Sequence, residues 1–222
     1  MISGAATRRK GARPLRADAE RNRDRILDAA AELFAERGIS VPLDEIARRA
    51  GVGVATLYRR FPTRTDLASA AFERNIASYV AAVDKALANP QPWEGFCGLV
   101  FDVCELQAGD AGMRDLVTTA FPASSEVELR VRETVDKVKL LIARAQRDGR
   151  LRRDVVVADL IMMTVANAGI LTATRHNAPD AWRRFAALTV EAFRARPDSP
   201  PLPPPPDEQQ LRRSVALLTG PA

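Results

Sequence analysis

The sequence predicts an all-α fold: an N-terminal three-helix unit containing a helix-turn-helix, then a larger helical domain, about nine helices in all. Three observations point there. Ala, Leu and Arg dominate the 222 residues while aromatics make up 5%, a mix that favours helix over strand. Apolar residues recur at helical spacing along most of the chain, and no segment alternates as a half-buried strand would. Glycines, prolines and capping side chains fall where those periodic runs begin and end. The length suits a small domain joined to a larger one, and nothing repeats at a fixed period.

Residues 1–19 are polar, basic and without period, so a disordered arm is expected. Its cations Arg8, Arg9, Lys10, Arg13 and Arg16 suit either a solubilising tail or a sequence-independent clamp on DNA. No apolar run follows them, so a signal peptide is not expected. A helix is predicted from about 20 to 37, with Ile26, Ala30, Leu33 and Phe34 inward and Gly38 as its stop. A short helix over 43–50 follows. Pro42 fits its first turn, Asp44 and Glu45 favour its positive end, and Leu43, Ile46, Ala47 and Ala50 face inward. Gly51 makes a tight turn into a third helix, 54–61, with Leu57 and Phe61 inward. Pro62 stops it. Thr63 and Asp66 then resemble a capping box for one long helix, about 64–88, with Phe72, Ile76, Tyr79, Val80, Val83 and Leu87 inward.

Asn89-Pro90-Gln91-Pro92 breaks that helix, and further helices are predicted over 93–107, 111–120 and 125–148. Ser125 caps the last, which carries Val127, Val131, Val135, Val138, Leu141, Ile142 and Ala145 in register. Asp154 can cap a helix to about 175, and Pro179 opens another to about 196 with Trp182, Phe185, Ala186, Thr189 and Phe193. Seven prolines between 197 and 206 make 197–222 a Pro-rich tail, with a short amphipathic piece near 207–218.

The formal charge is +5, but its placement says more. Residues 1–64 carry a net +6 and residues 65–222 a net −1, so the basic excess sits on one small module, as it would if that module faced an anion. Cys97 and Cys104 lie seven apart on one helix face. They are too few for a disulfide framework or a metal site, so packed thiols in a reduced, cytoplasmic setting are expected. The apolar run 155–171 includes Asp159, Thr164 and Asn167 and reads as an interface helix rather than a membrane span. No cofactor or metal is expected. Nor is an enzyme: His176, the sole histidine, sits at a helix end beside Arg175 and Asn177, there is no triad, and Gly51-Val52-Gly53 lacks the third glycine and the preceding strand of a dinucleotide loop.

Residues 43–61, LDEIARRAGVGVATLYRRF, are the most informative stretch. Two short helices joined by a glycine turn form a helix-turn-helix (42–61), whose second helix fits a major groove about 12 Å wide. Its exposed face offers Thr56, Tyr58, Arg59 and Arg60, with Thr63 and Arg64 just beyond, to phosphates. Val54, Ala55 and Arg59 are placed for base edges.

The segments ILDAAAELFAERG, LDEIARRAGV and ATLYRRFPTRTDL resemble the TetR family of transcriptional regulators, closely over roughly residues 20–79. The resemblance implies phosphate contacts from Thr56 and Tyr58. Arg60 stands where the family often has His, and Arg64 where it usually has Lys. Val41-Pro42 replaces a frequent Ser or Thr, so a backbone N–H would take that contact. DGRLRRDV with Asp159-Leu160 is similar to the family's junction before the eighth helix. By that analogy helices 154–175 and 179–196 pair across a two-fold axis through Leu160, Ile161, Val165, Leu171, Trp182, Phe185, Leu188 and Phe193. The domain over 80–196 would also bind an effector, with Phe72, Tyr79, Trp93, Phe96, Phe101, Met113, Phe121, Met162, Met163 and Asn167 as candidates. Their composition suggests an apolar or aromatic small molecule. The implied mechanism is a homodimer on a palindromic operator, with recognition helices about 34–36 Å apart, released by an inducer. An activator, or a repressor needing a co-repressor, stays open. So does a ligand-binding protein with a vestigial DNA module. No membrane partner is expected.

Overall fold

The computed structural model describes residues 12–37, 39–110, 113–114 and 126–216; the arm residues 1–11, most of the helix expected over 111–120, and Phe121 lie outside them. Ten helices and no strand occur among the described residues. The first, α1 (Ala12–Arg37), starts earlier than expected. Ala12, Leu15, Arg16, Ala17 and Ala19 are good helix formers, and Pro14 is tolerated because it lies in the first turn. Then come α2 (Leu43–Arg49) and α3 (Val54–Arg60). Between them Gly51 takes φ +66°, which an L side chain rarely adopts, and the Val52 N–H returns to the Ala47 carbonyl at 3.0 Å. Thr63 and Asp66 form the expected capping box, each giving its N–H to the other's side chain at 3.0 Å, at the start of α4 (Arg64–Ala71).

The single helix expected over 64–88 is two. Phe72 sits at ψ 1° between α4 and α5 (Glu73–Ala88), with its buried ring 5.5 Å from that of Phe34. The chain bends there because Phe72 belongs to one core while Ala82, Val83 and Ala86, farther along α5, belong to another. The first core joins α1–α4 through Ile26, Leu33, Phe34, Ile46, Leu57 and Leu67. Each such burial is worth about 1.5–3 kcal/mol of transfer free energy.

The second core is built by α5, α6 (Pro92–Gly109), α7 (Glu126–Arg147), α8 (Val157–Thr174) and α9 (Ala181–Phe193). Helix α6 lies close on α5 because residue 95 is glycine; a Cβ there would press into the Ala86 carbonyl. Arg144 of α7 donates to the Leu87 carbonyl at 2.5 Å, satisfying an acceptor at the end of α5. Trp93 packs on Phe96, Phe96 meets Phe193 edge-on at 5.9 Å, and the Arg194 guanidinium lies 4.9 Å from the Trp93 ring, which fastens α6 to the end of α9. An isolated bridge between Leu151 and Arg194 closes the same corner.

Asp154 does not cap α8. The helix starts at Val157, with the Val156 N–H held by Asp159 at 2.8 Å. Asp154 instead pairs twice with Arg152, at 2.9 and 3.0 Å, and accepts the Leu202 N–H at 2.9 Å, while Arg152 donates to the Pro200 carbonyl at 2.6 Å. The proline-rich stretch is thus clasped to the domain. It leads to α10 (Glu208–Ala216), which packs on α8 with Val215 buried and Glu208 3.4 Å from Lys139. Helix α8 is long and apolar enough to cross a bilayer by length and composition. Here Val157, Ala158, Thr164, Asn167 and Leu171 are buried on one of its faces, and it packs on α6 and α9.

Candidate DNA-reading helix and effector cavity

Helix α3 is held by Leu57, fully buried, and by Phe61 just after its end. The rest of its surface is outward: Tyr58 is 48% and Val54 41% exposed, Ala55, Arg59 and Arg60 are exposed, and Thr56 is half-buried. Three arginines of the neighbouring helices behave differently. Arg37 grips Glu45 through two bonds, at 2.7 and 3.0 Å, which lowers the Glu45 carboxyl pKa and raises that of the guanidinium. Arg49 reaches Glu32 at 3.0 Å and Arg48 lies 3.5 Å from Glu45. Among the described residues Arg59 and Arg60 make no ion pair or hydrogen bond. Two uncompensated cations therefore project beside a tyrosine hydroxyl, on a helix of width to suit the groove.

Arg64 is placed otherwise. Its Nη1 donates to the Ile39 and Val41 carbonyls, both at 2.6 Å, so it braces the turn that leads into α2. Those two bonds use two of the five guanidinium hydrogens. Thr63 donates its hydroxyl to Asp66 at 2.8 Å. Pro42 is the N-cap of α2 and gives no side-chain bond, as Val41-Pro42 leads one to expect. The Arg64 brace was missed from the sequence because its partners lie 25 and 23 residues away.

In the second domain α5–α8 surround a cavity of about 150 Å³. Of the ten effector candidates Tyr79, Met113 and Met163 line it. Trp93 and Phe96 are buried and do not, because their rings are spent on the α6–α9 corner. Phe72 belongs to the first core. Phe101 and Met162 face outward, at 36% and 42% exposure. Other lining residues include Ile76, Val131, Val135 and Val138, expected only as helix packing, Val100, Val103 and Thr134, which the sequence did not single out, and Leu160 and Ile161, which had been assigned to the dimer interface. Asn167 is fully buried one turn beyond Met163 and Thr164. Its Nδ2 donates to Gln107 Oε1 at 2.9 Å, and Gln107 Nε2 donates to the Thr164 carbonyl at 3.2 Å.

The interface candidates divide too. Leu171 and Trp182 are buried inside the protomer. Val165, Phe185 and Phe193 are half-buried, and Leu188 is 58% exposed. On α8 the exposed positions Met162, Ala166, Gly169 and Ala173 make a strip of mostly small residues, and Leu188 of α9 is exposed as well.

Burial pushes the Cys104 thiol up to about 12 and, with Glu94 nearby, that of Cys97 to about 11, so both stay neutral and are poor nucleophiles or metal ligands. Among the described residues no group of three His, Cys, Asp or Glu side chains could hold a metal. His176 is exposed and accepts a bond from Arg175 at 2.8 Å.

Comparison with known proteins agrees with this division. Residues 26–71 match the family described as bacterial regulatory proteins, tetR family, and residues 91–195 match the SbtR-like transcriptional regulator C-terminal domain. An HTH-type transcriptional regulator of Staphylococcus aureus (strain USA300) is 36% identical over 67 residues, 30% of this chain. The match spans about a third (36%) of that relative's length. The crystal structure of a TetR transcription regulatory protein from Mycobacterium vanbaalenii is 35% identical, covering 82% of this chain and all of that one, with a TM-score of 0.46. RolR, in a structure titled as its complex with resorcinol, shares the fold at 20% identity and a TM-score of 0.54, over 90% of this chain and 95% of that one. On the two family matches the chain belongs to the TetR family, which is one of transcriptional regulators rather than enzymes.

Proposed function

We propose that this protein is a cytoplasmic, ligand-responsive repressor that binds a near-palindromic operator as a homodimer and leaves it when a small apolar or aromatic molecule fills the α5–α8 cavity. One observation carries the DNA-reading part: Arg37, Arg48 and Arg49, on the helices flanking the turn, are paired with carboxylates, whereas Arg59 and Arg60 of α3 have no such partner among the described residues and are exposed, as is Tyr58. Arg60, Thr56 and Tyr58 contact phosphate, and Val54, Ala55 and Arg59 meet base edges. Arg64 does two jobs, bracing the 39–41 turn through Nη1 and offering its remaining hydrogens to phosphate. Thr63 supports this by capping α4.

The dimer forms through the outward strip of α8 with Leu188, Phe185 and Val165, since Leu171 and Trp182 are spent within the protomer. Small residues along α8 let two helices approach closely. An apolar space of about 150 Å³ is the size that takes a single-ring molecule, and resorcinol in RolR is of that kind. A ligand releases DNA only if it binds the DNA-incompetent state more tightly. The kinked α4–α5 junction at Phe72 lies between the cavity, lined by Ile76, and the first core, and is placed to carry that difference.

The test is fluorescence anisotropy with the DNA upstream of the protein's own gene against a scrambled duplex, between 50 and 200 mM salt (a range over which phosphate contacts show as a steep slope). Preferential binding to the upstream DNA supports the reading. Arg59→Ala should relax preference at one base pair by about 1–3 kcal/mol. Equal, weak attachment to both duplexes rejects the proposal.

A further inference from the structure

Among the described residues one buried side-chain polar atom is left without a hydrogen-bond partner, Asn167 Oδ1. Its neighbours fix the orientation of the amide. The Thr164 carbonyl can only accept, so Gln107 must turn Nε2 toward it, at 3.2 Å, and Oε1 toward Asn167. Asn167 must then answer with Nδ2, which leaves Oδ1 as an acceptor lacking a donor. The Arg114 guanidinium donates to the Gln107 backbone carbonyl at 2.9 Å.

Asn167 is not itself part of the cavity lining but lies one turn of α8 beyond Met163 and Thr164, which are. Side chains on an α-helix lean toward its N-terminus, so Asn167 leans over Met163 and Thr164, and Gln107 over Val103, all three of which line the space. Neither threonine of the lining serves Asn167 Oδ1: Thr164 gives its one hydroxyl hydrogen to the Ile161 carbonyl at 2.7 Å, and Thr134 gives its own to the Arg130 carbonyl at 2.6 Å. The carboxylate that the described lining contains, Glu128, is paired with Arg132 at 2.9 Å, which favours a neutral ligand over a cationic one.

We propose that the effector presents a neutral hydrogen-bond donor, a hydroxyl on a compact apolar or aromatic body, to Asn167 Oδ1. This rests on the reading of the cavity as the effector site. Asn167 then sets specificity: without a waiting acceptor an apolar cavity prefers the molecule with no hydroxyl, because the hydroxyl is costly to remove from water. A preference for the hydroxylated ring is therefore the opposite of what the lining alone would give.

The experiment is isothermal titration of the full chain with phenol, toluene and anisole, three rings of similar size of which only phenol carries a donor. Phenol should bind about tenfold more tightly than either of the others. In Asn167→Leu that preference should fall to twofold or less, with toluene bound at least as well as phenol. Equal binding of phenol and toluene to the wild type would mean that a buried water serves Asn167 and would overturn the assignment, while leaving the cavity reading intact. No heat and no thermal shift with any of the three would overturn the cavity reading, and the inference with it. If Asn167→Leu does not fold, the three-way wild-type comparison decides alone.

Discussion

The two cores use the same residue types to different ends. In the first, Ile26, Leu33, Phe34, Ile46, Leu57 and Leu67 are excluded from water, and Phe34 packs ring against ring on Phe72. In the second, the helices surround an unfilled space. All four buried polar residues described, Gln107, Thr134, Thr164 and Asn167, lie around that second core. A unit that must present α3 at one fixed angle gains from close packing, because packed side chains leave few alternative arrangements. A domain that must admit a ligand needs room, plus a few polar groups to orient what enters.

The contrast breaks first where packing is tightest. Phe34→Ala should cost about 3–5 kcal/mol, since the residue is fully buried and the rings around it cannot collapse into the gap. The urea midpoint and operator binding should fall together. A loss below about 1 kcal/mol would show that the first core is looser than its burial implies.

On the outer side of that core, the two classes of arginine separate by salt dependence. Arg60→Ala should reduce the slope of log K against log salt by about one while leaving the melting temperature unchanged. Arg64→Ala should lower both, because it removes the brace on the Ile39 and Val41 carbonyls as well as the proposed phosphate contact. A wild-type slope in Arg64→Ala would assign every hydrogen of that guanidinium to the protein itself.

The second core should respond in the opposite sense. Val138→Leu adds a methylene to a position that is buried yet lines the cavity. Where a packed core loses about 1–3 kcal/mol to such overpacking, this site should gain up to about 0.8 kcal/mol. It should also bind toluene less well. Destabilisation measured by urea titration would mean that the space is needed by the fold and not held open for a ligand.

What could be read from the sequence follows from the range of the interactions. The helix-turn-helix was legible because its signals are local: Gly51 between two short periodic runs, Leu57 and Phe61 one turn apart, and Thr63 capping Asp66. Its exposed polar and basic residues stood out for the same reason. The cavity was not legible. Large rings such as Trp93 and Phe96 drew attention as ligand contacts, yet large rings fill space. The room comes from Val131, Val135 and Val138 on α7, which look like any other packed stripe. The helix break at Phe72 was hidden because the periodic pattern continues through it while the core it serves changes. Asp154 had the local signature of a cap and was taken instead by Leu202, a partner 48 residues on.

That clasp yields the smallest effect, and its sign is fixed by the carboxylate. Bonds from the Arg152 guanidinium and the Leu202 N–H hold the folded Asp154 well below the usual carboxylate range. Its contribution is therefore fully present above the unfolded value of about 4 and is lost as pH falls from there toward the depressed folded value. Thermal melts of wild type and Asp154→Asn should differ at pH 6 and converge progressively below about pH 4, because protonation does to the wild type part of what the substitution does permanently. The group is partly exposed, so added salt should shrink the difference at pH 6 as well. A gap that stays constant down to pH 3 would mean that the tail is held by Val215 and the apolar side of α10 rather than by the clasp. The second core would then owe its closure on that side to packing, as the first does.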